Sequence, residues 1–256
     1  MKKVVLLGTI CFGFLNSPAL SADIPARVYK APVAAPAPVS TWTGFYIGGE
    51  VGGAWANSDV VVTTPPGGNF FTGDRLSSGD PSGWLGGVAG GADYQTGPWV
   101  FGIKGSYNWA DINGDTITAS TVVPTRDVLT HERFKWVGMV LGRVGYAVWP
   151  DFLLYVNGGW AWSGRESTSQ TVIRATGAVV ATSAGSETLG GWTVGVGGEY
   201  RVWRYASVLL QYNYVDFGTH AVTSNILTGP TAGTVVGRDL STNMHLLRFG
   251  VNLRFP

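Results

Sequence analysis

S-T-N-M-H-L-L-R-F-G-V-N-L-R-F, the stretch from Ser241 to Phe255, alternates strictly from Met244 onward. His245, Leu247, Phe249, Val251, Leu253 and Phe255 fall on one face, and Met244, Leu246, Arg248, Gly250, Asn252 and Arg254 on the other, because strand side chains point to opposite faces with period two. One face is nearly all apolar. The other carries two arginines and an amide. In a soluble sandwich the apolar face would meet protein and the polar face water. A closed barrel in lipid inverts this, with apolar side chains outward and polar ones filling the lumen. The strand by itself fits both, so the rest of the chain has to decide.

Composition leans toward β structure. The 256 residues include 38 Gly, 11 Trp, 10 Tyr and 11 Phe, and only 13% are charged. Glycine weakens helices and aromatic residues favour strands. The formal net charge of +1 gives no electrostatic case for a nucleic-acid partner. Residues 1–22 read as a secretory signal peptide: Lys2 and Lys3, an apolar run from Val4 to Leu15, then a small-residue exit at Ala19-Leu20-Ser21-Ala22. Its removal takes away Cys11, the one cysteine, and brings the mature chain close to neutrality. Residues 23–41, with Pro25, Pro32, Pro36 and Pro38 among alanines and valines, read as a semi-rigid periplasmic leader. The third segment, 42–256, is the expected barrel. It holds no run of about 20 apolar residues, so a membrane crossing there would be made by strands.

From Trp42 the alternation recurs eight times. Strands are expected at Gly44–Ala56, Gly83–Gln95, Trp99–Ile112, Arg133–Val148, Phe152–Gly164, Thr188–Val202 and Ala206–Phe217, and then in the stretch quoted above. The connections 57–82, 113–132, 165–187 and 218–240 are long and polar, and those at Thr96-Gly97-Pro98, Trp149-Pro150-Asp151 and Trp203-Arg204-Tyr205 are short. Even strand number with alternating long and short connections is the pattern of bacterial outer-membrane barrels, and a sandwich has no reason to produce it. Aromatic residues gather near strand ends (Phe45, Trp55, Trp84, Trp99, Trp109, Trp136), where amphipathic rings suit a membrane interface. The fold expected is an all-β, eight-stranded antiparallel up-and-down transmembrane barrel with four long outer loops and three short periplasmic turns.

Several segments resemble a known family, the small outer-membrane β-barrels of alphaproteobacteria, also called outer-membrane immunogenic or porin-family barrel proteins. They are W-T-G-F-Y-I-G-G at Trp42–Gly49, G-S-Y-N-W-A at Gly105–Ala110, G-R-V-G-Y-A at Gly142–Ala147, L-L-Y-V-N-G-G at Leu153–Gly159 and L-L-R-F-G-V-N-L-R-F at Leu246–Phe255. The resemblance implies residence in the Gram-negative outer membrane, contact with its lipid and lipopolysaccharide, and delivery by the barrel-assembly machinery. It implies roles in envelope integrity, surface exposure, and in some members adhesion or slow solute passage. It also marks Phe255 as the terminal aromatic assembly signal, with Pro256 after it as a departure from the usual ending.

No residue pattern of known catalysis is present: G-x-S-x-G, H-E-x-x-H and the phosphate-binding glycine loops are all missing. No catalytic, cofactor or metal site is therefore expected. His245 falls on the lipid face, and the nearest serine on that face, Ser241, is roughly 13 Å away along the strand, too far for a direct hydrogen bond. The better-founded constellation is the set of inward charges: Glu50, Asp93, Lys104, Lys135, Arg143, Glu199, Arg201, Arg248 and Arg254. Buried charges persist only when paired and hydrogen-bonded, so acids and bases from facing strands should bridge one another. Glu50 is the expected partner of Arg248 or Arg254, because an up-and-down barrel joins its first and last strands. An eight-stranded lumen is only wide enough for its own side chains, which favours a filled structural barrel without enzymatic activity. The alternatives are a narrow diffusion pore, for which inward Gly48, Gly52, Gly91, Gly195 and Gly250 would leave room, and a surface adhesin that holds a ligand in its loops.

Overall fold

The structure, a computed structural model, describes residues 41–63, 69–230 and 232–255. The expected signal peptide, nearly all of the leader, and Pro256 lie outside the described residues.

Among the described residues nine antiparallel strands form one sheet: β1 Gly44–Val62, β2 Arg75–Ser78, β3 Ser82–Thr96, β4 Trp99–Ala119, β5 Arg126–Trp149, β6 Phe152–Ile173, β7 Val179–Trp203, β8 Ala206–Thr228 and β9 Val235–Phe255. Each long strand pairs with the next, and β1 also pairs with β9 from Phe45↔Phe255 to Val62↔Arg238, which closes the ring. Closure leaves the barrel proper with no free edge. The ninth strand, the short β2, lies in the first long connection and pairs with the far end of β1, with Leu76 opposite Val60.

The long connections are largely strand. β4 and β5 continue as a hairpin to Ala119 and Arg126, β6 and β7 to Ile173 and Val179, and β8 and β9 to Thr228 and Val235. These segments are rich in Thr, Ser and Val, which sit well on a pleated surface even without an apolar band. The barrel therefore extends far past the run needed to cross a bilayer.

The outward face supplies that run. On β1 the exposed positions Phe45, Ile47, Val51 and Trp55 lead to Asn57 and Asp59, and on β9 Phe255, Leu253, Val251, Phe249 and Leu247 lead to His245. Eleven residues at ~3.3 Å each, tilted by ~40°, cover about 25 Å. Phe45, Tyr94, Trp99, Tyr146 and Tyr200 rim the short-turn end of this band, and Trp55, Trp84, Trp109, Trp160 and Trp192 the hairpin end, all exposed. Rings of this kind suit the two membrane interfaces.

Two strands depart from simple alternation: β8 switches its inward positions from Phe217 to Val222 across a register shift between Asp216 and Thr219, and β5 does so at Lys135. In β5, Phe134 pairs with Arg165 and Trp136 with Gly164 of β6, so Lys135 has no partner across the ladder. An extra residue of this kind is a β-bulge, and beyond it the facing of the strand inverts. Phe134, expected to face outward, is fully buried in the lumen, and Lys135, expected inside, is exposed.

Candidate functional site

The lumen is stacked in layers. At the short-turn end, Asp93 of β3, Arg143 of β5, Glu199 of β7 and Arg254 of β9 are all buried. Arg143 donates to Asp93 through Nε at 2.7 Å and through Nη2, and to Glu199 at 3.1 Å. Arg254 donates to Asp93 at 2.8 Å and to Glu199 at 2.9 Å. Ser207 and Asn252 add hydrogen bonds to the same Glu199 oxygen. Two cations thus face two anions, with the carboxylates nearly saturated, the condition under which buried charge is tolerated. Trp42 closes this end: the Arg201 guanidinium lies 4.4 Å and that of Arg254 4.7 Å from its ring. Arg201 also donates to the Thr41 carbonyl at 2.9 Å and stands 3.9 Å from Asp151.

The next layer is centred on Glu50. Its carboxylate accepts from Lys104 at 2.8 Å, from Arg248 at 2.6 Å and from Asn108 at 3.1 Å. Arg248 also donates to Asn213 at 2.7 Å, and Lys104 to Gln211 at 3.2 Å. Of the two arginines on the last strand, Arg248 therefore meets Glu50, while Arg254 reaches Asp93 and Glu199 instead. The inward glycines do not leave water-filled space here. A Cβ on Gly48 would collide with Asn252, and one on Gly52 would meet the Leu247 carbonyl and Arg248. These two glycines let the Arg248 and Asn252 side chains lie across β1.

Above the Glu50 layer, toward the hairpin end, the filling turns apolar. Leu85, Phe134, Met139, Leu141, Leu189 and Leu246 belong to one continuous buried cluster spanning the barrel. Farther out lies a further charge layer. Arg165 of β6 donates to Glu132 of β5 and Glu187 of β7, with all three side chains largely buried. Arg238 of β9 faces this group without an ion pair, and burial together with the like charge of Arg165 pulls its guanidinium below the ordinary arginine range.

Eight of the nine charges singled out in the sequence are buried in the lumen, and Lys135 is the exception. Its ammonium lies outside the barrel and pairs with Glu166 at 2.5 Å, each about half exposed. The apolar layer, the Glu132–Arg165–Glu187 group and the Trp42 cap were not singled out. The signal for the second of these was present in part: Arg165 and Glu187 keep the inward parity of their strands but fall in stretches read as loops, whereas Glu132 faces inward only because of the bulge at Lys135. Phe255 ends β9 opposite Phe45, with its ring exposed in the short-turn rim.

On the outer surface His245 sits in an aromatic group. Its Nδ1 is 2.7 Å from the Tyr212 hydroxyl, and its ring stacks on Trp55 at 5.8 Å. A histidine engaged this way packs as an interfacial side chain among Trp55, Tyr212 and Tyr214. Among the described residues no group of three or more His, Cys, Asp or Glu is arranged to hold a metal ion.

The family model for the outer membrane protein beta-barrel domain matches residues 30–255. The 31 kDa outer-membrane immunogenic protein of Brucella melitensis is 27% identical over 269 aligned positions, covering 99% of this chain and 100% of that protein. The 22 kDa outer membrane protein of Rhizobium leguminosarum bv. viciae is 31% identical over 180 positions, covering 70% of this chain and 66% of the relative. Among solved structures, the outer membrane protein OprG of Pseudomonas aeruginosa aligns with 85% of this chain and 100% of its own, at 12% identity and a TM-score of 0.48.

Proposed function

Since this chain belongs to the outer membrane protein beta-barrel family and resides in the outer membrane, we propose that it is a closed, non-enzymatic barrel contributing to envelope structure and surface properties. The observation that carries this is the apolar layer. A conducting lumen needs a continuous polar path, and Leu85, Phe134, Met139, Leu141 and Leu246 interrupt it with side chains that offer water no partner. The two paired charge layers beneath it fill the remaining width with side chains already committed to one another. Nothing favours a diffusion pore over this filling.

In this role the outward apolar band faces lipid, the hairpin-end rim of tryptophans meets lipopolysaccharide, and the exposed ring of Phe255 is what the assembly machinery reads. The test is single-channel recording on the purified, refolded chain in planar bilayers. The expected record is flat across ±100 mV or so, and stable unitary steps would overturn the closed reading.

A further inference from the structure

We propose that the hairpin-end mouth of the barrel binds a small sugar bearing one anionic group, a carboxylate or a phosphate, through Arg126 and Arg238. Every arginine in the membrane-level charge layers contacts a carboxylate, except that Arg201 stands off at 3.9 Å. Arg126 and Arg238 differ. Among the described residues neither has an ion pair, and Arg238, whose Nε is buried with no hydrogen-bond partner as in Arg165, Arg201 and Arg248, has only the through-space pull of Glu132 and Glu187 on one side. Both lie on inward positions of their strands, and both line a cavity of about 200 Å³ whose lining contains no carboxylate.

Two half-buried guanidinium groups facing one cavity without a carboxylate between them repel one another, and the planar fork of arginine is suited to holding a carboxylate or phosphate through paired hydrogen bonds. The remaining wall chemistry points to a polyol on that anion. Ser169, Thr171, Thr182 and Ser183 bring hydroxyls to the wall. Asn69 donates its Nδ2 to the Thr171 hydroxyl at 2.9 Å, which leaves its Oδ1 buried and without a donor. That free acceptor fits a ligand hydroxyl. Size limits the ligand: the cavity is below the ~300–1,000 Å³ that holds a drug-sized molecule, so a monosaccharide is what it can enclose. Beneath it, the Glu132–Arg165–Glu187 group and the apolar layer form a floor, so the site is a pocket and not a channel entrance.

The site goes beyond the closed-barrel role and does not depend on it. It is tested by titration calorimetry on the full refolded chain, with folding checked by its β-sheet circular dichroism, using glucuronate, glucose 6-phosphate and glucose as probes. Saturable binding is expected for glucuronate, glucose 6-phosphate or both, which tells the carboxylate from the phosphate, and none for glucose. Arg238→Gln should weaken binding about tenfold or more, as loss of a charge-assisted contact does, and Arg126→Gln should weaken it by a smaller factor. Arg174→Gln, at an exposed arginine paired with Asp127 outside the cavity, should leave it unchanged. If Arg238→Gln fails to fold, Arg126→Gln decides. Absence of saturable binding by both anionic probes, or equal affinity in wild type and each folded arginine variant, overturns the proposal.

Discussion

Glu50 holds two cations at once, and that makes it the residue whose loss should be felt most. Lys104 and Arg248 lie almost wholly out of solvent, each within 2.8 Å of its carboxylate. Replacing Glu50 by glutamine keeps the shape and removes the only anion of that layer, which leaves two buried cations facing neutral amides. Breaking a buried pair by removing one partner costs about 3–5 kcal/mol. Lys135 provides the contrast: its pair with Glu166 is half exposed, and such surface pairs contribute about 0–1 kcal/mol. Equilibrium urea unfolding of the refolded barrel should therefore show a large loss for Glu50→Gln and a change within about 1 kcal/mol for Lys135→Ala. Comparable losses would mean that Lys135 is not outside the barrel, or that the Glu50 layer is hydrated.

The first and last strands show how far an element can be read before its structure is seen. Period-two alternation was enough to assign both faces of β9, to pair it with β1 and to bring Glu50 near Arg248, because a one-residue slip would put the whole apolar set inside. Alternation failed in two places, each for a physical reason. At Lys135 a bulge inserted one residue and inverted the strand beyond it, which no composition cue marks. In the outer hairpins the apolar face that makes a strand recognisable is missing, since those segments stand clear of lipid, and so Glu132, Arg165 and Glu187 were passed over. The role of the glycines was also hidden, because the space an absent Cβ leaves says nothing about what fills it. On β1 this gives a clean comparison. A methyl group on inward Gly52 would come within 2.9 Å of the Arg248 Cα, whereas on outward Gly53 the nearest atom is the Gly83 carbonyl oxygen at 3.8 Å. Gly52→Ala should destabilise the barrel by about 1–3 kcal/mol, as overpacking does, and Gly53→Ala by less than about 1 kcal/mol. Unfolding midpoints of the two variants check this, and equal midpoints would mean that the seam can part to admit a side chain.

At the scale of the whole molecule, the order of the lumen layers has a consequence that chemistry can read from outside the cell. From the hairpin end inward come the arginine-bearing pocket, the Glu132–Arg165–Glu187 group, the apolar layer, the Glu50 layer and the Trp42-capped end. Water and polar solutes entering from the hairpin end should stop at the apolar layer, because a void lined only by apolar side chains stays dry. The sequence makes this easy to probe, since its one cysteine, Cys11, is in the segment read as the signal peptide. In a Cys11→Ser background, single cysteines can be placed at Ser183, which lines the mouth pocket, and at Ser106, which pairs with Met139 at the inner edge of the apolar layer and whose hydroxyl accepts from Arg248 at 3.4 Å. A membrane-impermeant maleimide added to intact cells should label Ser183→Cys and leave Ser106→Cys unlabelled, while both react in the unfolded chain. Shortening Leu85, Phe134 and Leu189 to alanine should then raise labelling at position 106 without changing it at 183, because these side chains belong to the apolar cluster on the hairpin side of Ser106. Labelling of Ser106→Cys at the rate of Ser183→Cys with the apolar layer intact would mean that water runs the length of the barrel, and the filled lumen would give way to the pore.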